Sequence, residues 1–470
     1  MLAASGYVDT SIASEIGRGF DLTGPIPSSG GLFKPVVEPA TMSKECLRAA
    51  APAVRAGILQ ATARACTSEL AQEVHDLTQD EVKRGWLAGP IPLERLSQTT
   101  SVSRRFGVVQ SSGGRRKVRP IDNLSESFIN STVSRVESIQ PHGLDVVCAA
   151  IAHRLRVRER AGKATVPMLK IIDLLKAYKQ LGISSDALQD AFLSVPNPET
   201  GAPNVYECLV LPFGAAASVA AFCRTTMSLW HLGCALLLLH WTVFYDDFIV
   251  VNEKSSAKHC ELVLSSFWSL LGWSVSRDKE TEFAYFARAL GVKICFQSER
   301  MFVVENTQER KDELNETITD LLSAQWVDQH ALASLRGRLQ FVEGQIHGRR
   351  CHRHMRVLSL RAEFIGGSAV DDDLCEAAKS AFIAARTPSA QFGALLEWLA
   401  CWEEKHSTFP WFERVSSAAN IADGPSRDNF GLLKGVQRDD CDLAMLILEL
   451  QCGMPELATA SGITASSVSW

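Results

Sequence analysis

Two adjacent acids, Asp246 and Asp247, stand in the middle of the apolar run VFYDDFIVV. Burying ionised carboxylates among valine and isoleucine is costly unless they sit in a turn or bind something. A tight hairpin avoids the cost: the flanking residues form two strands and the aspartates protrude at the tip. A second apolar run, MLKIID, ends in the same way at Asp173. Three carboxylates gathered at strand ends make an oxygen-rich site suited to hard divalent cations. Two such ions can activate an attacking oxygen and stabilise a departing one. The plain alternative is a turn with two aspartates and an unrelated acid at a helix start.

The rest of the chain reads as helices and strands in alternation. Residues 1–40 are rich in Gly, Pro and Ser and are expected to form a loose leader. Residues 43–77 are Ala-rich with regular Leu, Ile and Val, which predicts one or two helices beginning near Ser43 and Glu45. Gly85, Gly89, Pro90 and Pro92 then break the chain. In RRFGVVQSSGGRRKVRPIDN, strands over 106–110 and 117–121 flank a Ser-Gly-Gly-Arg turn, a basic hairpin. A helix is expected over 143–159 and a strand over 166–172. A small-residue helix follows Pro212-Phe213-Gly214, then the strand pair at FYDDFIV, a helix over 256–271 and short strands over 274–296. This order predicts an α+β fold with its sheet covered on one face. Beyond residue 312 the pattern is mainly helical, with a unit over 320–361, a smaller region over 372–430 and one apolar helix in 431–470.

At 470 residues the chain is long enough for two or three domains, and a hydrophobic fraction of 46% supplies real cores. A net charge of -5 counts against a broadly basic nucleic-acid wrapper, while leaving room for local basic surfaces. Such surfaces are expected at Arg104, Arg105, Arg115, Arg116, Lys117 and Arg119, and at Arg336, Arg338, Arg349, Arg350, Arg353, Arg356 and Arg361. Both groups could touch phosphates, or simply be solvated. Thirteen cysteines without a CxxC pair read as reduced, mostly buried thiols. His347, Cys351, His352 and His354 do not match a structural zinc pattern. The most apolar run, residues 233–244, contains His240 and falls short of the roughly 20 residues a membrane span needs. It reads as a buried helix end leading into a core strand. The first residues lack a signal-peptide pattern, so an intracellular protein, cytoplasmic or nuclear and not secreted, is expected.

Asp173-Leu174-Leu175-Lys176-Ala177-Tyr178 resembles the first palm motif of retroelement reverse transcriptases. The resemblance implies that Asp173 is a metal ligand and the Leu174 carbonyl a secondary one. It makes Tyr178 the aromatic that lies under the sugar and crowds out a ribose 2′-hydroxyl. LPFGAAASVAAF resembles the second palm motif, with Pro212, Phe213 and Gly214 shaping the floor beneath the incoming nucleotide. Phe244-Tyr245-Asp246-Asp247 corresponds to the family's tyrosine-any-aspartate-aspartate signature, with Phe244 keeping the ring and losing a hydroxyl. In LGWSVSRDKE, Lys279 matches the lysine of a fourth motif, whose amine neutralises or protonates the leaving pyrophosphate. The bland reading makes it a surface residue of an Arg-Asp-Lys-Glu run. Leu290-Gly291 resembles the start of the primer grip. Lys117 and Arg119 resemble the basic pair on the triphosphate, with Arg115 or Arg116 helping.

The resemblance covers residues 80–362 and implies a right-hand polymerase: fingers and palm over 79–310, a helical thumb over 311–362, and a leader and helical region over 1–78. GRLQFVEGQIHGRR and the basic hairpin look most like retrotransposons of the tyrosine-recombinase class. WFERVSSAANIADGPSR resembles the end of a ribonuclease H domain with Asp423 as its last acid. Asp371–Asp373 and Glu397 do not supply the earlier acids, so 363–430 is expected to be a truncated remnant without nuclease activity, followed by a tail over 431–470. The implied function is RNA-directed DNA polymerisation with two magnesium ions, manganese being the alternative. Its partners would be an RNA or DNA template, a nucleic-acid primer and deoxynucleoside triphosphates, with no membrane. A decayed fragment that only binds nucleic acid is the other reading. An RNA-dependent RNA polymerase would share the acids, but Tyr178 and the PFG motif argue against it.

Overall fold

The computed structural model describes residues 1–112, 115–162, 165–346, 352–364 and 366–386. Helices and strands are mixed along the chain and the strands pair mostly antiparallel, as in an α+β fold. The first residues give helix α1 (Ile12–Arg18) and strands β1 (Gly24–Pro25) and β2 (Lys34–Glu38). Helices α2 (Lys44–Ala65) and α3 (Ala71–Lys83) follow, then β3 (Leu87–Ala88), the hairpin β4 (Val102–Ser112) and β5 (Arg115–Asn123), and β6 (Val133–Ser138). Next come α4 (Leu144–Arg160), β7 (Pro167–Asp173), β8 (Phe192–Asn197), β9 (Ala202–Cys208) and α5 (Ala216–Leu237). Strands β10 (Trp241–Phe244) and β11 (Asp247–Glu253), helix α6 (Ala257–Leu271) and strands β12 (Phe286–Ala289), β13 (Val292–Phe296) and β14 (Phe302–Asn306) complete the mixed region. The helical unit holds α7 (Gln308–Ser323), α8 (Gln329–Ile346), α9 (His352–Ala362) and α10 (Asp372–Arg386).

A three-stranded antiparallel sheet, ordered β10-β11-β7, organises the centre. Its residues alternate between two cores. Ile172, Phe248 and Val250 pack with α5 and α6, while Leu169, Ile171, Ile249 and Val251 pack with α4 and the β12-β13-β14 sheet. The expectation of a sheet covered on one face is therefore corrected. Both faces are buried, which is why these strands read as continuous apolar runs rather than alternating ones.

On the α5–α6 face, the Trp241 ring lies 4.8 Å from Phe248 and 5.8 Å from Trp268. Gly233 of α5 meets the same ring so closely that a β-carbon would fall 2.1 Å from it. Gly233→Ala is expected to destabilise the protein by about 1–3 kcal/mol through overpacking. A lower urea midpoint measures this; an unchanged midpoint would place the Trp241 ring elsewhere. The end of α5 differs from expectation. Leu236 and Leu237 are exposed, and Leu238 is 86% exposed with a left-handed φ of 54°. The chain must reverse there to enter β10, and the reversal turns these leucines outward.

The expected loose leader is also corrected. Tyr7, Ile12, Phe20, Leu22 and Phe33 are buried in the α5–α6 core. The Arg224 guanidinium on α5 donates to Asp9 at 2.8 and 3.0 Å, to Glu15 at 2.9 and 2.7 Å and to Ser11 at 2.9 Å. Buried charge needs such pairing, and among the described residues Asp9 and Glu15 supply the acids. Phe20 N–H donates to Gly182 and Phe20 C=O accepts from Ser184, both at 3.0 Å. A leader without periodicity is thus fixed by polar pairing.

The basic hairpin belongs to a five-stranded sheet ordered β3-β9-β8-β4-β5, against which α2 and α3 pack. The Ser43 hydroxyl accepts the Cys46 N–H and starts α2 where the sequence indicated. In the helical unit, Leu314, Leu332, Leu335, Leu339, Leu358, Leu374 and Phe382 share one core. That core includes α10, from the region expected to be a separate remnant. Asp371 caps α10 by accepting Leu374 N–H at 3.0 Å and pairs with Arg361 in the last turn of α9. The amphipathic α10 thus completes the helical bundle. Glu397, Asp423 and the expected tail helix lie outside the described residues. Among the described residues no helix is long and apolar enough to cross a membrane.

Candidate active site

The carboxylates meet where the central sheet ends. Asp247 opens β11 opposite Phe244 on one side and Asp173 on the other. Tyr245 and Asp246 form the two-residue turn, with Tyr245 at φ 52°. Asp246 therefore occupies the tip, whereas Asp247 is already in the strand. Leu174 N–H donates to the Asp246 carbonyl at 3.1 Å, fixing the turn against the end of β7. The Leu174 carbonyl accepts a long 3.5 Å bond from Ala177 N–H.

Directly opposed residues on antiparallel strands hold their side chains about 5 Å apart at the β-carbons, and like charges there repel. The electrostatics show that strain. Burial, then the charges of Asp246 and Asp173, pushes the Asp247 carboxyl up to about 6. Burial also raises Asp246; Asp173 adds to the rise, while Lys279 and Arg119 oppose it. Lys279 Nζ lies 2.7 Å from Asp173 Oδ2. As they stand, no three His, Cys, Asp or Glu side chains among the described residues converge closely enough to hold one metal ion.

The aromatic residues line the same place. Tyr178 is half-buried, edge-on to Phe213 at 5.7 Å and against Phe222 at 4.8 Å. Burial raises its phenol pKa first, with Cys223, Tyr245 and Asp246 adding, so the ring stands beside the acidic turn. Phe213 is 49% exposed, an apolar ring presented to the solvent. Gly214 has φ 120°, and a β-carbon there would fall 2.2 Å from the Asp122 carbonyl of β5. Only glycine lets the second motif and the basic hairpin approach this closely. Asn130 bridges the same junction, donating to Gly214 C=O at 3.0 Å and accepting Ala216 N–H at 2.9 Å.

Of the first basic cluster, Lys117 and Arg119 are exposed on β5, and the Arg119 charge reaches Asp246. Three others are engaged elsewhere. Arg105 is fully buried between Asp122 at 2.7 Å and Glu81 at 2.8 Å, because a β4 side chain facing α3 needs acids to compensate its burial. Arg104 pairs with Glu126 and Arg116 with Glu73. The Arg115 side chain falls outside the description. In the second cluster, Arg338 binds Thr317 and Arg361 pairs with Asp371, while Arg349 and Arg350 lie outside the described residues, as do His347 and Cys351.

Lys176, which the sequence reading did not single out, lies between Asp173 and Tyr178. It is exposed at φ 53°. Burial, then Lys117, lowers its pKa, and Arg84 and Lys179 add to the fall. A lysine three residues after the first acid was the available signal. The Leu290–Gly291 turn joins β12 to β13 with both φ values positive. Arg310 of α7 donates to the Gly291 carbonyl at 2.6 Å and stacks over Phe341 of α8 at 4.8 Å, linking this turn to the helical unit.

No family model matches the chain, and no curated protein matches it. Solved structures do. A foamy viral protease-reverse transcriptase, dRH form with double-stranded DNA, matches at 18% identity and TM-score 0.49, over 68% of this chain and 48% of that one. The foamy viral protease-reverse transcriptase with an RNA/DNA hybrid matches at 16% and 0.48, over 68% and 37%. Its complex with double-stranded DNA matches at 16% and 0.47, over 68% and 57%. This chain thus spans between about a third and just over half of those proteins.

Proposed function

We propose that this chain is an RNA-directed DNA polymerase, transferring deoxynucleotides to a primer 3′-hydroxyl with release of pyrophosphate. The observation that carries the reading is the register of Asp173 with Asp247 beside Asp246 at the turn. Burial, and after it the neighbouring acidic charges, raises the proton affinity of Asp246 and Asp247, so the arrangement works against the fold until cations arrive. The donor set, three hard carboxylate oxygens, fits magnesium, or manganese in its place. Asp173, Asp246 and Asp247 would hold the ions once Asp173 is released from Lys279. Bound there, divalent ions would supply charge to the attacking and departing oxygens.

The remaining roles belong to the protein. The central sheet with its acids acts as palm, the β4–β5 hairpin as fingers and the helical unit as thumb. Arg119 and Lys117 orient the triphosphate, Tyr178 and Phe213 bound the sugar and base, and Lys279 meets the leaving pyrophosphate. Template and primer are held through backbone and shape, which suits a substrate of any sequence. The sequence motifs alone support a retrotransposon of the tyrosine-recombinase class, and no ribonuclease H activity is proposed.

Tyr178 tests the sugar preference. Tyr178→Ala opens the space beneath the sugar and should raise ribonucleotide over deoxynucleotide use by about 10–100-fold, as expected for lost steric exclusion. Single-nucleotide kcat/KM values measure the ratio; an unchanged ratio would remove Tyr178 from the sugar site. One observation favours a binding-only protein: the Asp173 carboxylate is already held by Lys279. That reading predicts primer–template binding without extension.

A further inference from the structure

The polymerase reading leaves unexplained why the ammonium expected at the pyrophosphate sits on Asp173 instead. Its position follows from the backbone. The Asp173 carbonyl accepts Ser276 N–H at 2.8 Å, and Ser276 C=O accepts Lys279 N–H at 3.1 Å. Leu174 bridges to Val275 in the same segment. This turn is therefore pinned to the end of β7, and a four-carbon stem suffices to bring Lys279 Nζ to 2.7 Å from Asp173 Oδ2. The Lys279 side chain is 65% exposed, whereas that of Asp173 is 14% exposed. The amine can leave into solvent; the carboxylate cannot follow it.

We infer that Lys279 is a resident counter-ion of the acidic cluster and competes with the first divalent cation for Asp173, so that ion binding releases its amine toward the incoming nucleotide. This rests on the polymerase reading and adds an order of events to it. In the free protein Lys279 partly neutralises the three acids, whose mutual repulsion would otherwise be unopposed from this side. A divalent ion brings twice the charge and accepts oxygens from several carboxylates. It therefore displaces a singly charged amine held by one exposed ion pair. Exposed pairs contribute little, so the competition is modest by design of the geometry. Tethered by its turn, the released amine stays at the rim of the cluster.

The test uses the full chain and manganese ions alone, with no nucleotide or nucleic acid, and reads free manganese by electron paramagnetic resonance. Lys279→Ala is expected to bind manganese about two- to fivefold more tightly than the parent, the range an exposed ion pair sets. Lys279→Arg, which keeps the cation, should stay near the parent. A second readout is the acetylation rate of Lys279, followed by peptide mass spectrometry, which should rise when manganese is added. Asp246→Asn separates the two claims. If manganese binds and Asp246→Asn weakens it, but Lys279→Ala binds no more tightly, the counter-ion inference is overturned and the site stands. If no binding depends on Asp246, the site reading and this inference both fail.

Discussion

If the proposed activity holds, Asp247→Asn is expected to lower nucleotide transfer by about 10³-fold or more, about 4 kcal/mol in the barrier, because under that proposal it removes one of three charged metal ligands. The same substitution should make the metal-free protein more stable at neutral pH. The sign follows from the raised carboxyl. In the fold Asp247 titrates at about 6, above the about 3.9 of an unfolded aspartate. Its contribution to stability is fully present below pH ~4 and is lost as pH rises through about 6. Asparagine carries no such loss. A shift of about two pH units corresponds to roughly 3 kcal/mol, which solvent at this partly open site reduces to about 1–2 kcal/mol. Urea unfolding in chelator should show the variant ahead at pH 8 and level with the parent near pH 4. A variant less stable at pH 8 would mean that Asp247 serves the fold rather than a ligand.

Arg224→Ala carries the largest expected loss of stability, about 3–5 kcal/mol. It leaves Asp9, with a side chain 1% exposed, without its cation, and Glu15 nearly so. Removing Asp9 as well, in Asp9→Ala with Arg224→Met, should recover part of the loss, because the most deeply buried charge is then gone. Thermal unfolding of the three proteins checks this order of stability. If Arg224→Ala unfolds like the parent, the first residues are the loose leader their composition suggested.

These contrasts show what was legible. Apolar runs and the cost of burying acids located β7, β10 and β11 and the ends where Asp173, Asp246 and Asp247 sit. The hairpin turn chemistry located β4 and β5. The register of Asp173 with Asp247 was not legible, since it depends on which strand pairs with which. The leader was misread because Asp9, Glu15 and Arg224 are joined across the fold and leave no periodicity; a lone arginine in the small-residue helix α5 was the one hint. Arg105 looked like its basic neighbours because burial between Glu81 and Asp122 has no local signature. The boundary before α10 failed for a related reason: a resemblance assigned to the downstream tail was extended over a helix whose apolar face fits the bundle.

The measurement that bears most directly on the proposed activity is extension of a DNA primer on an RNA template with deoxynucleotides and magnesium, the parent beside Asp246→Asn. The expected result is addition of the nucleotide complementary to each template base by the parent, and none by the variant. Parent protein that is folded and binds the primer–template, yet never extends it, would contradict the proposal and leave a nucleic-acid-binding protein in its place.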